Sequence, residues 1–153
     1  MLVQLPATFD TRSADPLPST ARDLPRRAGK CALQALVVDD EPLIRWAIAE
    51  TLRVDGYEVD EAGDADGTVR ALFERPAPPD LIVLDLRLPD CSDLTLLQTV
   101  RRLVPSATVI LMTAFATPDL HEQARRLGAA GVLDKPFDVD AIAALVENLR
   151  SGH

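Results

Sequence analysis

No apolar run in this chain approaches the ~20 residues needed to cross a bilayer, and the N-terminus lacks the charged-then-apolar pattern of a secretory leader. A soluble, cytoplasmic protein with no membrane contact is therefore expected. Cysteine is scarce: Cys31 and Cys91 are the two in 153 residues. One precedes the first predicted strand and the other follows the third, so roughly 15–20 Å of strand separates them. A disulfide needs Cα atoms within about 7 Å, and both are read as free thiols of a reducing compartment. Positive charge is also short. Sixteen basic residues face 24 acidic ones, for a net charge of -8 and a pI near 4.7, which argues against direct DNA binding by phosphate neutralisation. The imbalance is uneven: residues 1–30 hold five basic and three acidic residues, and residues 31–153 hold 11 and 21. Of the two lysines, only Lys135 lies beyond residue 30. In a chain that otherwise uses arginine, one lysine suggests a place for a compact point charge. No internal repeat is present.

What the chain does have is apolar material, 47% of its residues, and a length suited to one domain. Residues 1–30, with Pro6, Pro16, Pro18 and Pro25 and no sustained periodicity, read as a disordered N-terminal extension; the domain is assigned to 31–153. From Leu33 the pattern alternates. Strands are expected at about 33–38, 57–61, 81–84, 107–112 and 130–133. Between and after them, helices are expected at about 42–53, 64–73, 92–103, 118–127 and 139–150. Pro42 opens the first helix, Asp64 caps the second, Thr117-Pro118 starts the fourth, Gly128 ends it and Asp138 caps the last. Four strand runs are almost wholly apolar, as strands covered on both faces should be; the second is polar and suits an edge. The fold class is α/β: a doubly wound, five-stranded parallel sheet of order 2-1-3-4-5 with helices on both faces.

In such a sheet the strand ends meet at one edge, and that edge would collect Asp39-Asp40-Glu41, Asp85, Thr113 and Lys135-Pro136. Crowded carboxylates are costly unless paired. A hard divalent cation such as Mg²⁺ relieves them while leaving room for water and phosphate oxygens. Asp85, ending a central strand, is placed as a nucleophile that forms an acyl phosphate, with Thr113 and Lys135 facing the phosphoryl group.

These residues carry a resemblance. Val37-Val38-Asp39-Asp40-Glu41-Pro42, Leu84-Asp85-Leu86-Arg87-Leu88-Pro89, Met112-Thr113-Ala114 and Leu133-Asp134-Lys135-Pro136-Phe137 occur in the order and at near the spacing of the response regulator receiver domains of two-component systems. The likeness covers residues ~33–150. Leu43-Ile44-Arg45-Trp46 further resembles the receivers of NtrC-like regulators. The resemblance implies Asp85 as phosphoacceptor, with Asp39, Asp40, Asp85 and the backbone carbonyl of Arg87 as ligands of Mg²⁺. It implies Thr113 as the switch hydroxyl, Lys135 as the phosphate-facing cation and a cis Lys135-Pro136 bond. A sensor histidine kinase or phosphotransfer protein would be the donor. The face of the fourth helix, fifth strand and last helix would signal to an unidentified downstream protein or to a second copy in a homodimer. No output domain follows residue 153 in this sequence, so output is expected to pass to another protein. The chain would catalyse only its own Mg²⁺-dependent phosphorylation and dephosphorylation.

Two positions depart from the family. Val132 stands where an aromatic switch residue is usual, and Asp93 where a glycine is usual. Arg87 and Phe115, two residues beyond the acceptor and the threonine, are bulky and predict slow loss of phosphate. The alternative is a degenerate receiver that acts as a phosphorylation-independent interaction module. An aspartyl phosphohydrolase would need a second carboxylate where Arg87 stands, and a flavodoxin-like nucleotide binder would need a Ser/Thr/Gly-rich loop where Asp39-Asp40-Glu41 stands.

Overall fold

The structure, a computed structural model, describes residues 32–152. The proposed extension over 1–30, Cys31 and His153 lie outside the described residues. Five strands alternate with five helices: β1 (Leu33–Val38), α1 (Pro42–Val54), β2 (Tyr57–Ala62), α2 (Ala65–Glu74), β3 (Leu81–Asp85), α3 (Thr95–Leu103), β4 (Thr108–Thr113), α4 (Pro118–Arg126), β5 (Gly131–Asp134) and α5 (Val139–Ser151). All ladders are parallel, as the alternation requires, and the order is the expected β2-β1-β3-β4-β5. The polar second strand takes one edge. Among the described residues no helix is long and apolar enough to cross a membrane.

Side chains alternate between faces along each strand, and the central strands supply apolar residues to both. Leu36, Val38, Ile82, Leu84, Val109 and Leu111 form one core with Leu97 and Val100 of α3 and Ala124 of α4. Ala35, Val37, Val83, Ile110 and Met112 form the other with Ile48 and Leu52 of α1 and Ile142 and Val146 of α5. The i, i+4 pairs Ile48/Leu52 and Ile142/Val146 are the helical counterpart of that alternation. Two apolar layers thus hold the central strands in fixed register.

Local signals account for most boundaries. Asp64 accepts the Gly67 amide at 2.7 Å and Thr117 accepts that of Leu120 at 3.1 Å, the side-chain caps their positions predict. Gly128 follows α4 with φ +103, a conformation that glycine takes without strain. Two expectations fail. The third helix begins at Thr95, three residues later than Ser92, because the Asp93 carboxylate accepts the Thr95 amide at 2.9 Å and holds the preceding residues in a turn. Asp138 precedes α5 without capping it by its side chain; its backbone carbonyl accepts from Ala141 instead, at 2.8 Å.

Candidate functional site

The sheet diverges where β1 is followed towards β2 on one side and β3 pairs it on the other, opening a crevice at the strand ends. Asp39, Asp40, Asp85, Thr113 and Lys135 all reach it. Asp39 is wholly buried and fastened on several sides. Its amide donates to Ala62 at 3.1 Å, its Oδ1 accepts from the Glu41 amide at 2.9 Å and its Oδ2 accepts from Lys135 Nζ at 2.9 Å. Asp85 is 4% exposed; it accepts from the Arg87 amide at 3.1 Å and from Lys135 Nζ at 3.2 Å. Asp40 is exposed, yet one oxygen each of Asp39, Asp40 and Asp85 lies within 4.8 Å of the others.

Lys135 is the counter-charge. It directly follows the edge strand β5 and precedes a cis bond to Pro136, and its amide donates to the Thr113 carbonyl at 2.7 Å. Thr113, buried at the end of β4, accepts the Phe115 amide on its hydroxyl oxygen at 3.2 Å. Burial, and then the neighbouring Asp39 charge, push the Asp85 carboxyl up from its usual range against the opposing Arg87 amide and Lys135. Burial alone would lower the Lys135 ammonium, but its hydrogen bonds and charge interactions with Asp39 and Asp85 outweigh that and raise it. The pocket therefore holds a protonated lysine against a carboxylate cluster in charge excess. The donors are all oxygens and one carboxylate faces solvent, which fits a hard cation that keeps part of its water shell, as Mg²⁺ does.

At the mouth, the Arg87 guanidinium lies 5.0 Å from the centroid of the Phe115 ring, a cation–π contact. Phe115 is 67% exposed, so its ring is free of the core. Trp46 is exposed on the outer face of α1. Val132 pairs with Leu111 and packs, half-buried, against the core on the α3–α4 side. The Cys91 thiol is free and lies 3.6 Å from the Asp93 carboxylate. His121 sits away from the carboxylates, 3.5 Å from Asp134.

Two supporting residues escape a sequence reading. Asp90 accepts the Ala65 and Asp66 amides at 2.8 and 3.0 Å, tying the loop after β3 to the start of α2; nothing local in the sequence signals a cap 25 residues away. Arg45 reaches the Asp39 carbonyl at 2.8 Å; its place four residues after Glu41 reads only as ordinary helix.

Residues 35–147 match the family described as "Response regulator receiver domain". The transcriptional regulatory protein PdtaR of Mycobacterium tuberculosis is 36% identical over 135 residues, 85% of this chain and 60% of PdtaR. The DNA-binding transcriptional regulator NtrC of Proteus hauseri is 35% identical over 111 residues, 72% of this chain and 23% of NtrC. The chain therefore spans under two thirds of the length of these relatives. A response regulator from Burkholderia pseudomallei, solved with a phosphorylated aspartic acid, a calcium ion and citrate, superposes with a TM-score of 0.66 at 29% identity, covering 73% of this chain and 65% of that one.

Proposed function

The chain belongs to the response regulator receiver domains of two-component signalling, and from that premise we propose that it accepts a phosphoryl group on Asp85. Receivers are signalling modules and not, in general, enzymes acting on a separate substrate. The observation that carries the reading is the ammonium of Lys135, held between two buried carboxylates beside the buried Thr113 hydroxyl.

A histidine kinase or phosphotransfer protein would present a phosphohistidine. An Asp85 carboxylate oxygen forms the new P–O bond as the P–N bond breaks. The electron pair returns to the imidazole, which takes up a proton from solvent. Lys135 neutralises one phosphoryl oxygen and the Thr113 hydroxyl donates to another. Asp39, Asp40, Asp85 and the Arg87 carbonyl would hold Mg²⁺, which supplies charge neutralisation for the transferring group. The relative solved with a phosphorylated aspartic acid and a calcium ion supports both assignments by similarity. Hydrolysis of the acyl phosphate would return the Asp85 carboxylate and inorganic phosphate. The proposed output, in the cytoplasm, is a protein contact on the α4–β5–α5 face, made to a downstream partner or to a second copy.

The test is intact mass after incubation with acetyl phosphate, with and without Mg²⁺, for wild type and Asp85→Ala. One added phosphate that needs both Mg²⁺ and Asp85 is the expected result. Equal masses throughout would favour a receiver fold used as a phosphorylation-independent module, the reading that Val132 at the usual aromatic position supports.

A further inference from the structure

Arg45 lies one turn into α1, outside the carboxylate cluster, yet it touches the loop that carries the cluster. Its Nη1 donates to the Asp39 carbonyl at 2.8 Å, and its Nε donates to Glu61 of β2 at 3.1 Å. The Asp39 amide donates in turn to the Ala62 carbonyl. The two peptide groups flanking the Asp39 Cα are thus both tethered towards β2, one by the ladder and the other by the guanidinium. The second is the peptide that joins Asp39 to Asp40, so its orientation sets where the Asp40 carboxylate projects relative to Asp39 and Asp85. A planar fork is suited to holding a carbonyl and a carboxylate at once; an ammonium is not. The segment after β2 makes room for it: a Cβ at Gly63 would lie 3.1 Å from Arg45 Nη1.

We propose that Arg45 is a positioning residue for the divalent-cation site, fixing the Asp39–Asp40 peptide so that the exposed carboxylate of Asp40 converges with the two buried ones. This rests on the receiver reading of the site above. Glu61, which also receives Arg53 Nη2 at 3.3 Å, supplies the counter-charge that lets a cation sit behind a cation site.

The sign of one substitution separates this role from a simple field effect. Arg45 is positive, so if it acted only through its charge, its removal would tighten Mg²⁺ binding. If it positions the ligands, removal weakens binding, since groups that orient metal ligands are worth roughly 10–100-fold in affinity. Isothermal calorimetry with Mg²⁺ on the full chain, beside urea unfolding to verify the fold, reads the difference. Expected are a rise in Kd of about tenfold for Arg45→Met and a smaller rise for Arg45→Lys, which keeps the charge and loses the fork. Gly63→Ala, which changes no charge and no ligand but crowds the guanidinium, should weaken binding by less than Arg45→Met does. Unchanged or tighter binding in Arg45→Met overturns the proposal. Should that variant fail to fold, wild-type affinity in both Arg45→Lys and Gly63→Ala overturns it instead. A wild-type chain that binds no Mg²⁺ overturns the phosphoacceptor reading of the site, and the positioning role with it.

Discussion

Asp85 and Lys135 meet in one crevice but stand on very different strands. Asp85 ends β3, in which all five residues are buried between two helical layers. Lys135 follows β5, a four-residue edge strand in which none is fully buried. The proposed acceptor ends a strand buried throughout, and the ammonium that answers its charge stands beside a strand with no fully buried residue. Interiors packed on both sides do not deform continuously, so a change of partner at Lys135 is absorbed by β5 before β3. Fixed nucleophile and yielding counter-ion are the arrangement expected if charge at Asp85 is to be sensed elsewhere.

The contrast is tested most severely at the lysine. Lys135→Ala leaves the acceptor in place, yet acyl-phosphate formation from acetyl phosphate should fall by roughly 10²–10³, the usual effect of removing one preorganised donor from a developing charge; a rate within threefold of wild type would deny Lys135 that role. Packing is the next comparison. Ile82→Ala in β3 should cost about 2–5 kcal/mol in urea unfolding, and Val132→Ala in β5 about 1 kcal/mol; equal costs would erase the difference between the strands. At the mouth, the Arg87–Phe115 contact is worth roughly 1 kcal/mol. Phe115→Ala should therefore speed loss of phosphate by about fivefold, read as decay of the phosphorylated mass, from a wild-type lifetime of minutes or longer. Loss within seconds in the wild type, unchanged by the substitution, rejects the shielding role.

The smallest effect concerns Asp85 without metal. Its carboxyl is raised by burial and by Asp39, so the folded state binds its proton more readily than the unfolded state does. The ionised form then disfavours folding; the penalty is full above the folded-state pKa and vanishes as pH falls below the unfolded value of about 3.9. Asp85→Asn should raise the urea midpoint of the metal-free protein at pH 7, with the gain shrinking towards pH 4. A gain independent of pH would place its cause outside ionisation.

Much of this was legible before any coordinate was known. Residues 81–84 read as a strand covered on both faces, residues 57–61 suit an edge, and Asp64 and Thr117 announce the helices they cap, since these depend on a few neighbouring residues. The five strand boundaries shift by no more than a residue. The start of α3 at Thr95 and not Ser92 depends on where the Asp93 carboxylate points, and rotamers are not written in residue type.

Sequence by itself determined the strands, their parallel pairing and the set of side chains delivered to one edge, because hydrophobic period and alternation fix which face and which end each residue takes. Tertiary structure alone decided how those side chains use one another. Lys135 grips Asp39 across 96 residues, Arg45 holds a carbonyl behind the carboxylates, and Asp90 reaches across to α2. Each is a contact of a few ångströms between remote segments, and it exists only once the ladders have set strand against strand.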